Sequence, residues 1–206
     1  MPRLMAVLYD RLLAGAEDAC LGEWRAELVG SLRGEVLEVG AGTGANLDHY
    51  PAEVTRVILS EPDRHMRARL QRKLPAGDGR FEVINAAVEE LPLPEASLEA
   101  VVATLVLCSV GDVDRALSEI HRVLRPGGRF AFIEHVAAEE GTARLKWQRR
   151  VEPVWRRLAG NCHLARRTGD TIRAAGFDVE WMKDEEIGNA LPLVRPGIRG
   201  IAVKSE

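Results

Sequence analysis

The segment Val36-Leu37-Glu38-Val39-Gly40-Ala41-Gly42-Thr43-Gly44 constrains the fold more than any other stretch of the chain. Residues 36–39 are the length of one compact buried strand, and glycines at alternate positions then break it. Glycine reaches φ > 0 without steric cost and lets ligand atoms approach bare backbone. A helix is expected to open at Gly44 and stop before Pro51, so that loop amides and the helix start face a ligand. The G-x-G-x-G spacing differs from the G-x-G-x-x-G loop that seats a pyrophosphate. Glu61 follows the next apolar stretch, 17 residues after Gly44. A carboxylate there accepts both hydroxyl hydrogens of a ribose and disfavours a 2′-phosphate. The competing reading is a glycine-rich turn in an unrelated α/β protein, with Glu61 a solvated loop acid.

The rest of the chain keeps a strand–helix rhythm. Two amphipathic helices are expected first, at residues 4–13 and 17–32. Apolar runs at 36–39, 56–60, 81–85, 98–105 and 130–136 read as strands. Helices are expected at 63–74, with Asp63 as cap or first-turn acid, and at 113–124. Arg125-Pro126-Gly127-Gly128 reads as the stop and turn of the latter. Residues 142–158 form a further helix, bent or broken near Pro153, and 168–175 another, closed by Gly176. Final strands are expected at 177–183 and 197–204. Such alternation implies an α/β fold: a mostly parallel sheet, both faces covered, right-handed crossovers, and a ligand site at the carboxyl ends of the strands.

A length of 206 residues suits a single domain. Residues 1–32 are expected to form a helical lid on it and residues 140–170 a basic helical cap on the substrate side. The basic run holds Arg144, Lys146, Arg149, Arg150, Arg156, Arg157, Arg166 and Arg167 against Glu152. A formal net charge of −3 provides no global field for nucleic acid. No apolar run approaches a membrane span, and the first residues lack the layout of a signal peptide. Three cysteines without paired spacing suggest a reducing compartment, so a cytoplasmic location is expected. Neither Cys-x-x-Cys nor His-Glu-x-x-His occurs, and no metal is expected.

Taken together, Val36 to Gly44, Ser60-Glu61-Pro62-Asp63 and Leu124-Arg125-Pro126-Gly127-Gly128-Arg129 resemble the class I S-adenosylmethionine-dependent methyltransferases. The resemblance implies a Rossmann-like, seven-stranded sheet whose last strand is antiparallel. It implies S-adenosyl-L-methionine as cofactor and S-adenosyl-L-homocysteine as product. It assigns Glu38 to holding the cofactor loop. The expected cofactor contacts are Glu38, Gly40, Ala41, Gly42, Gly44, Asn46, Glu61, Pro62, Val88, Glu89 and Leu105. Many relatives carry Asp just after the third strand, near the adenine amino group. This chain has Ala87 there, so Glu89 or backbone around Val88 is expected to replace it. A narrower similarity to the alkyl-thiol S-methyltransferases rests on Thr104 to Val110, Ile133-Glu134-His135-Val136, Trp147-Gln148, Pro153-Val154-Trp155 and Val194-Arg195-Pro196. The resemblance implies an N-terminal hydrophobic anchor for the animal members of that family; for this chain no such anchor is expected.

Methyl transfer from a sulfonium is an in-line displacement in which positioning supplies much of the gain. A thiol with pKa ~8.5 needs modest help to ionise, whereas an oxygen nucleophile needs a firmer base. His135, at the end of the fifth strand, is the first candidate for that help; a structural histidine is the other reading. Cys108 is the second candidate, against a small buried hydrophobe. Glu134 reads as a strand-end surface acid, with a residue that orients a substrate amine or a neighbouring arginine as the other reading. Tyr9 and Asp10 close the lid or only pack the first helix. Trp147 and Trp155, eight apart, share a helix face unless Pro153 bends it. With the arginines they form a solvated face, a site for an amphipathic or anionic substrate, or a peripheral membrane contact. The functions weighed are a small-molecule thiol methyltransferase, an O- or N-methyltransferase including one for phospholipid amines, and a non-enzymatic cofactor-binding module. A nucleic-acid substrate is not expected: no Asn-Pro-Pro-Tyr-type site is present.

Overall fold

The computed structural model describes residues 3–205, with side chains from residue 10 onward. Tyr9 therefore lies outside the described side chains. Seven strands form one sheet: β1 (Gly34–Val39), β2 (Val54–Ser60), β3 (Phe81–Ile84), β4 (Leu98–Thr104), β5 (Leu124–His135), β6 (Phe177–Glu186) and β7 (Pro196–Lys204). Their order is β3-β2-β1-β4-β5-β7-β6. The pairs among β1 to β5 are parallel. β7 runs antiparallel to both β5 and β6. The expected fold class is the one found.

Alternation along the strands builds two cores, because successive side chains leave opposite faces. Leu37, Val39, Val101, Ala103, Phe130 and Phe132 point to one side. Val36, Ala100, Val102, Ala131 and Ile133 point to the other. Helices α4 (Val113–Val123) and α6 (Thr168–Ala174) cover the first core with Leu117, Ile120 and Ile172. Helices α2 (Gly22–Val29) and α3 (Arg64–Lys73) cover the second with Trp24, Leu28 and Leu70. Asp63 caps α3, its carboxylate accepting from the amides of His65 and Met66 at 2.8 and 3.0 Å. Asp112 caps α4 by accepting from Arg115 N.

Four local expectations need correction. The segment 44–50 is not a helix: it is a turn followed by a 3₁₀ turn, Leu47–His49. Gly44 holds φ +84, outside the helical region, and Pro51 follows too soon for a full turn to recover. Segment 44–50 therefore offers the loop no α-helix start. The N-terminal segment is one nearly continuous helical run rather than two helices. Helix α1 (Arg3–Ala16) passes through a π-helical turn at Glu17–Leu21 straight into α2. Arg125 to Gly128 does not separate α4 from β5. The strand starts at Leu124, and these residues form an irregularity between Leu98↔Leu124 and Ala100↔Arg129. Of the two alternatives at Pro153, the break does not occur: helix α5 (Ala143–Leu158) continues across it, capped by Thr142, whose hydroxyl accepts from Leu145 N.

The order of strands reverses between β1 and β4. Chain connections leave that junction in opposite directions, opening a crevice beyond the two carboxyl ends. Val39 and Thr104, the last residues of these strands, mark its floor.

Candidate active site

A cleft of about 250 Å³ stands over the β1–β4 junction. Glu38, Gly40, Gly42 and Thr104 line its floor, and Asp10, Glu17 and Arg25 come from the N-terminal helices above. Gly40 and Gly44 are required by contact. A Cβ at Gly40 would stand 2.1 Å from Val106 Cγ2, and one at Gly44 would stand 2.7 Å from Leu47 Cδ1. Gly42 differs: its nearest neighbour would be 3.8 Å away, so bare backbone faces the open cleft. Both Gly40 and Gly42 hold positive φ, +60 and +57.

Glu61 lies just past β2 and is 6% exposed. One carboxylate oxygen accepts from Gly42 N at 2.8 Å and the other from Asp63 N at 2.8 Å. The acid thus ties the glycine loop to the cap of α3. Each oxygen keeps a lone pair for a further donor. Burial raises the Glu61 carboxyl above its ordinary range, and the two amide bonds only partly offset this.

Glu38 is buried and organises the floor. It accepts from Tyr50 OH at 2.6 Å and from Asn46 Nδ2 at 2.9 Å. Asn46 in turn accepts from Arg25 Nη1 at 2.9 Å, and the same nitrogen reaches Thr104 Oγ1 at 2.8 Å. The remaining face of the Arg25 guanidinium forks onto both oxygens of Glu17, at 3.1 and 3.0 Å. Burial raises the pKa of Glu38, with Tyr50 and Asn46 pulling the other way, and Tyr50 is pushed well up as well. Asn46, fully buried, serves Glu38 and Arg25 and is not part of the cleft lining. Sequence reading missed Arg25 and Thr104. A signal existed for Arg25, which falls among Trp24, Leu28 and Val29 on the buried face of α2. The π-helical turn brings Glu17 eight residues back into register with it.

Asp10 latches α1 to the site. It accepts from the Thr43 hydroxyl in the glycine loop, and from Arg69 and Lys73 of α3 at 3.2 and 2.9 Å. Burial alone would raise this carboxyl; the Thr43, Lys73 and Arg69 contacts outweigh it and hold it below the usual range.

The other expected cofactor contacts separate. Pro62 is exposed, and Val88 is buried in the first core. The Glu89 carboxylate accepts from Gly111 N at 2.8 Å, bracing the loop ahead of α4. Leu105 leaves β4 at φ +57, a strained conformation for a leucine.

Glu134 is not a surface acid. It is fully buried and holds the backbone that follows Leu105. Its oxygens accept from Val106 N at 3.0 Å, Leu107 N at 2.9 Å and Cys108 N at 3.3 Å. Burial pushes its pKa up to about 7. Arg166 caps the same loop from the other side through the carbonyls of Leu107 and Val110. His135 and Cys108, the candidate bases, are 4% and 2% exposed and stand behind this loop, off the cleft lining. The His135 Nε2 meets Cys162 Sγ at 2.9 Å. Hydrogen bonding with Cys108, then with His135, draws the Cys162 thiol below its usual range, and Cys108 is pushed up.

Trp147 and Trp155 both lie on α5 but differ in exposure: Trp147 is 58% exposed and has Arg150 stacked 5.9 Å from its ring centroid, whereas Trp155 is half-buried with its ring N–H inside. The basic run is partly neutralised by acids from elsewhere. Arg144 pairs with Glu186, and Arg149 and Arg167 share Glu140.

Residues 37–132 match the family model described as Methyltransferase domain. The chain is 39% identical over 172 residues to the human thiol S-methyltransferase TMT1A, covering 82% of this chain and 70% of that protein. It is 34% identical over 216 residues to human TMT1B, covering 98% and 85%. Among solved structures, a geranyl diphosphate methyltransferase in complex with S-adenosylmethionine superposes with TM-score 0.71 at 12% identity, over 92% of this chain and 85% of that one. A Thermotoga maritima methyltransferase, described as a possible histamine N-methyltransferase, gives 0.68 at 20% identity over 98% and 97%. The glycine loop, the buried acid after β2 and the sheet order agree with these likenesses, and the chain belongs to the S-adenosylmethionine-dependent methyltransferases, in the family that includes TMT1A and TMT1B.

Proposed function

We propose that this enzyme methylates the sulfur of a small apolar thiol. The observation that carries the choice of acceptor is the 34–39% identity to thiol S-methyltransferases over most of their length. The cleft and the loop beside it support this cofactor. Open backbone at Gly42, a buried carboxylate with spare lone pairs and a floor of mixed charge match a ribose joined to a zwitterionic amino acid. In this reading Glu61 receives the ribose hydroxyls, and Gly40 to Gly44 lie along the ribose and aminocarboxylate. Backbone around Val88 borders the adenine, because the Glu89 side chain is taken by Gly111. Leu105 and the loop after it wall the reacting end.

The cofactor, when bound, supplies an electrophilic methyl group. The chain's own work is to position the acceptor and exclude water. Asp10 closes α1 onto the loop by its bonds to Thr43, Arg69 and Lys73. A thiol of pKa ~8.5 ionises to a useful extent near neutral pH, so no strong base is required. His135 and Cys108 act as positioning residues through the loop that Glu134 anchors. Exposed Trp147, Val154 and Leu158 share one face of α5 at i, i+7 and i+11, a contact surface for an amphipathic acceptor.

The test is transfer of labelled methyl to a panel of alkyl thiols, phenols, amines and phospholipids. Methylated alkyl thiols are expected. Labelled products confined to oxygen or nitrogen acceptors would overturn the reading.

A further inference from the structure

Behind the active-site loop, three elements bring Cys108, His135 and Cys162 together. Cys108 comes from the loop after β4, His135 is the last residue of β5, and Cys162 lies between α5 and α6. Two sulfurs and an imidazole nitrogen, one from each residue, all lie within 4.8 Å of one another. All three residues are buried, at 2%, 4% and 8% exposure. We infer that this Cys–His–Cys cluster is a binding site for a thiophilic divalent cation of the zinc class.

Ligand chemistry comes first. Two thiolates and one imidazole suit zinc and neighbouring soft or borderline ions, and disfavour calcium and magnesium. Bond lengths of about 2.0–2.1 Å to nitrogen and 2.3 Å to sulfur place tetrahedral ligands about 3.5–3.8 Å apart. The donors here already bracket that spacing, with Nε2···Sγ at 2.9 Å and no pair beyond 4.8 Å. Small side-chain rotations close the difference. Two thiolates also balance the charge of a divalent ion, which removes the cost of burying it alone.

The scaffold around the cluster is held in place without the ion. Glu134 accepts from Cys108 N, and His163 N donates to the Cys108 carbonyl at 2.8 Å. Arg166 and Asn161 tie the same loop to the Cys162 segment through the carbonyls of Val110 and Ser109. Such supports orient metal ligands before binding. His135 Nδ1, the ring nitrogen turned away from Cys162, is buried without a hydrogen-bond partner among the described residues. Three protein ligands leave a fourth tetrahedral position for a small donor.

The test uses the full chain, reduced and stripped with a chelator, then titrated with cobalt(II). One cobalt per chain is expected, with sulfur-to-cobalt charge-transfer absorption, tetrahedral d–d bands and displacement by zinc. Cys162→Ser and Cys108→Ser should each remove about half of the charge-transfer intensity and weaken binding by roughly tenfold or more. Cys20→Ala, at a half-buried cysteine outside the cluster, should change nothing. Absence of charge-transfer bands, or bands that survive the double serine variant, would overturn the site. Should the serine variants misfold, zinc-edge X-ray absorption on the unaltered protein decides it: two sulfur scatterers and one imidazole are expected, and oxygen-only coordination refutes the inference. None of these signals depends on methyl transfer, so the site and the proposed acceptor stand or fall separately.

Discussion

Glu134→Ala tests whether a buried acid, rather than the apolar packing around it, maintains the strained loop after β4. In the native protein the carboxylate accepts the amides of Val106, Leu107 and Cys108 in a place with no measurable exposure. Each buried amide left without an acceptor costs about 1–3 kcal/mol. Three of them exceed the relief from no longer burying a carboxyl whose pKa is pushed up to about 7. The net loss should be about 3 kcal/mol, within the range seen when one member of a buried polar cluster is removed. For a chain of this size that corresponds to a fall in Tm of about 6–12 °C. Urea unfolding followed by fluorescence measures the loss directly. Glu134→Gln should fall in between, since its carbonyl oxygen still serves Val106 and Leu107 while its NH₂ opposes the Cys108 amide. Stability within about 0.5 kcal/mol of the parent for the alanine variant, or a glutamine variant weaker than alanine, refutes the reasoning.

Glu61→Ala removes the acceptor that ties Gly42 to Asp63, and calorimetry should show cofactor affinity reduced by roughly 10-fold or more, at about 1.4 kcal/mol per tenfold; near-normal affinity counts against the ribose role. The same acid sets two opposite pH trends. Its folded pKa is raised by burial above 4.5, so the folded chain holds the proton more tightly than the unfolded one. Its contribution to stability is then fully present below 4.5 and is lost as pH rises through the folded value. Cofactor affinity, which needs the ionised form, should instead decline on acidification starting above the ordinary carboxylate range; affinity constant down to pH 4 contradicts it. Asp10→Asn removes two partly exposed ion pairs and weakens the Thr43 contact, together worth about 1 kcal/mol. Amide exchange in α1 and the cofactor off-rate should both rise about fivefold, and unchanged rates would show that α1 is held by packing alone.

Legibility followed the range of the interactions. The strand–glycine–acid series was readable because its causes are local: three alternate glycines, a short apolar run and an acid at the next strand end. Most helices and strands were readable for the same reason, through period and caps. Segment 44–50 failed because φ +84 at Gly44 and the nearby Pro51 outweigh its apolar spacing. Glu134 was misjudged because an acid at a strand end is usually solvated. Its partners are amides 26 to 28 residues earlier, which no local pattern reveals.

By itself, then, the sequence determined a doubly covered, mostly parallel sheet and a glycine loop after its first strand, since sterics and hydrophobic period act over a few residues. Tertiary structure alone decided which charges are buried and with whom. It set Arg25 between Glu17, Asn46 and Thr104, turned Glu134 inward, and drew Cys108, His135 and Cys162 to one point. Those pairings depend on which strand ends become neighbours at the carboxyl edge of the sheet. That choice is made by packing of the whole domain, where burial, not residue type, sets the strength of each polar contact.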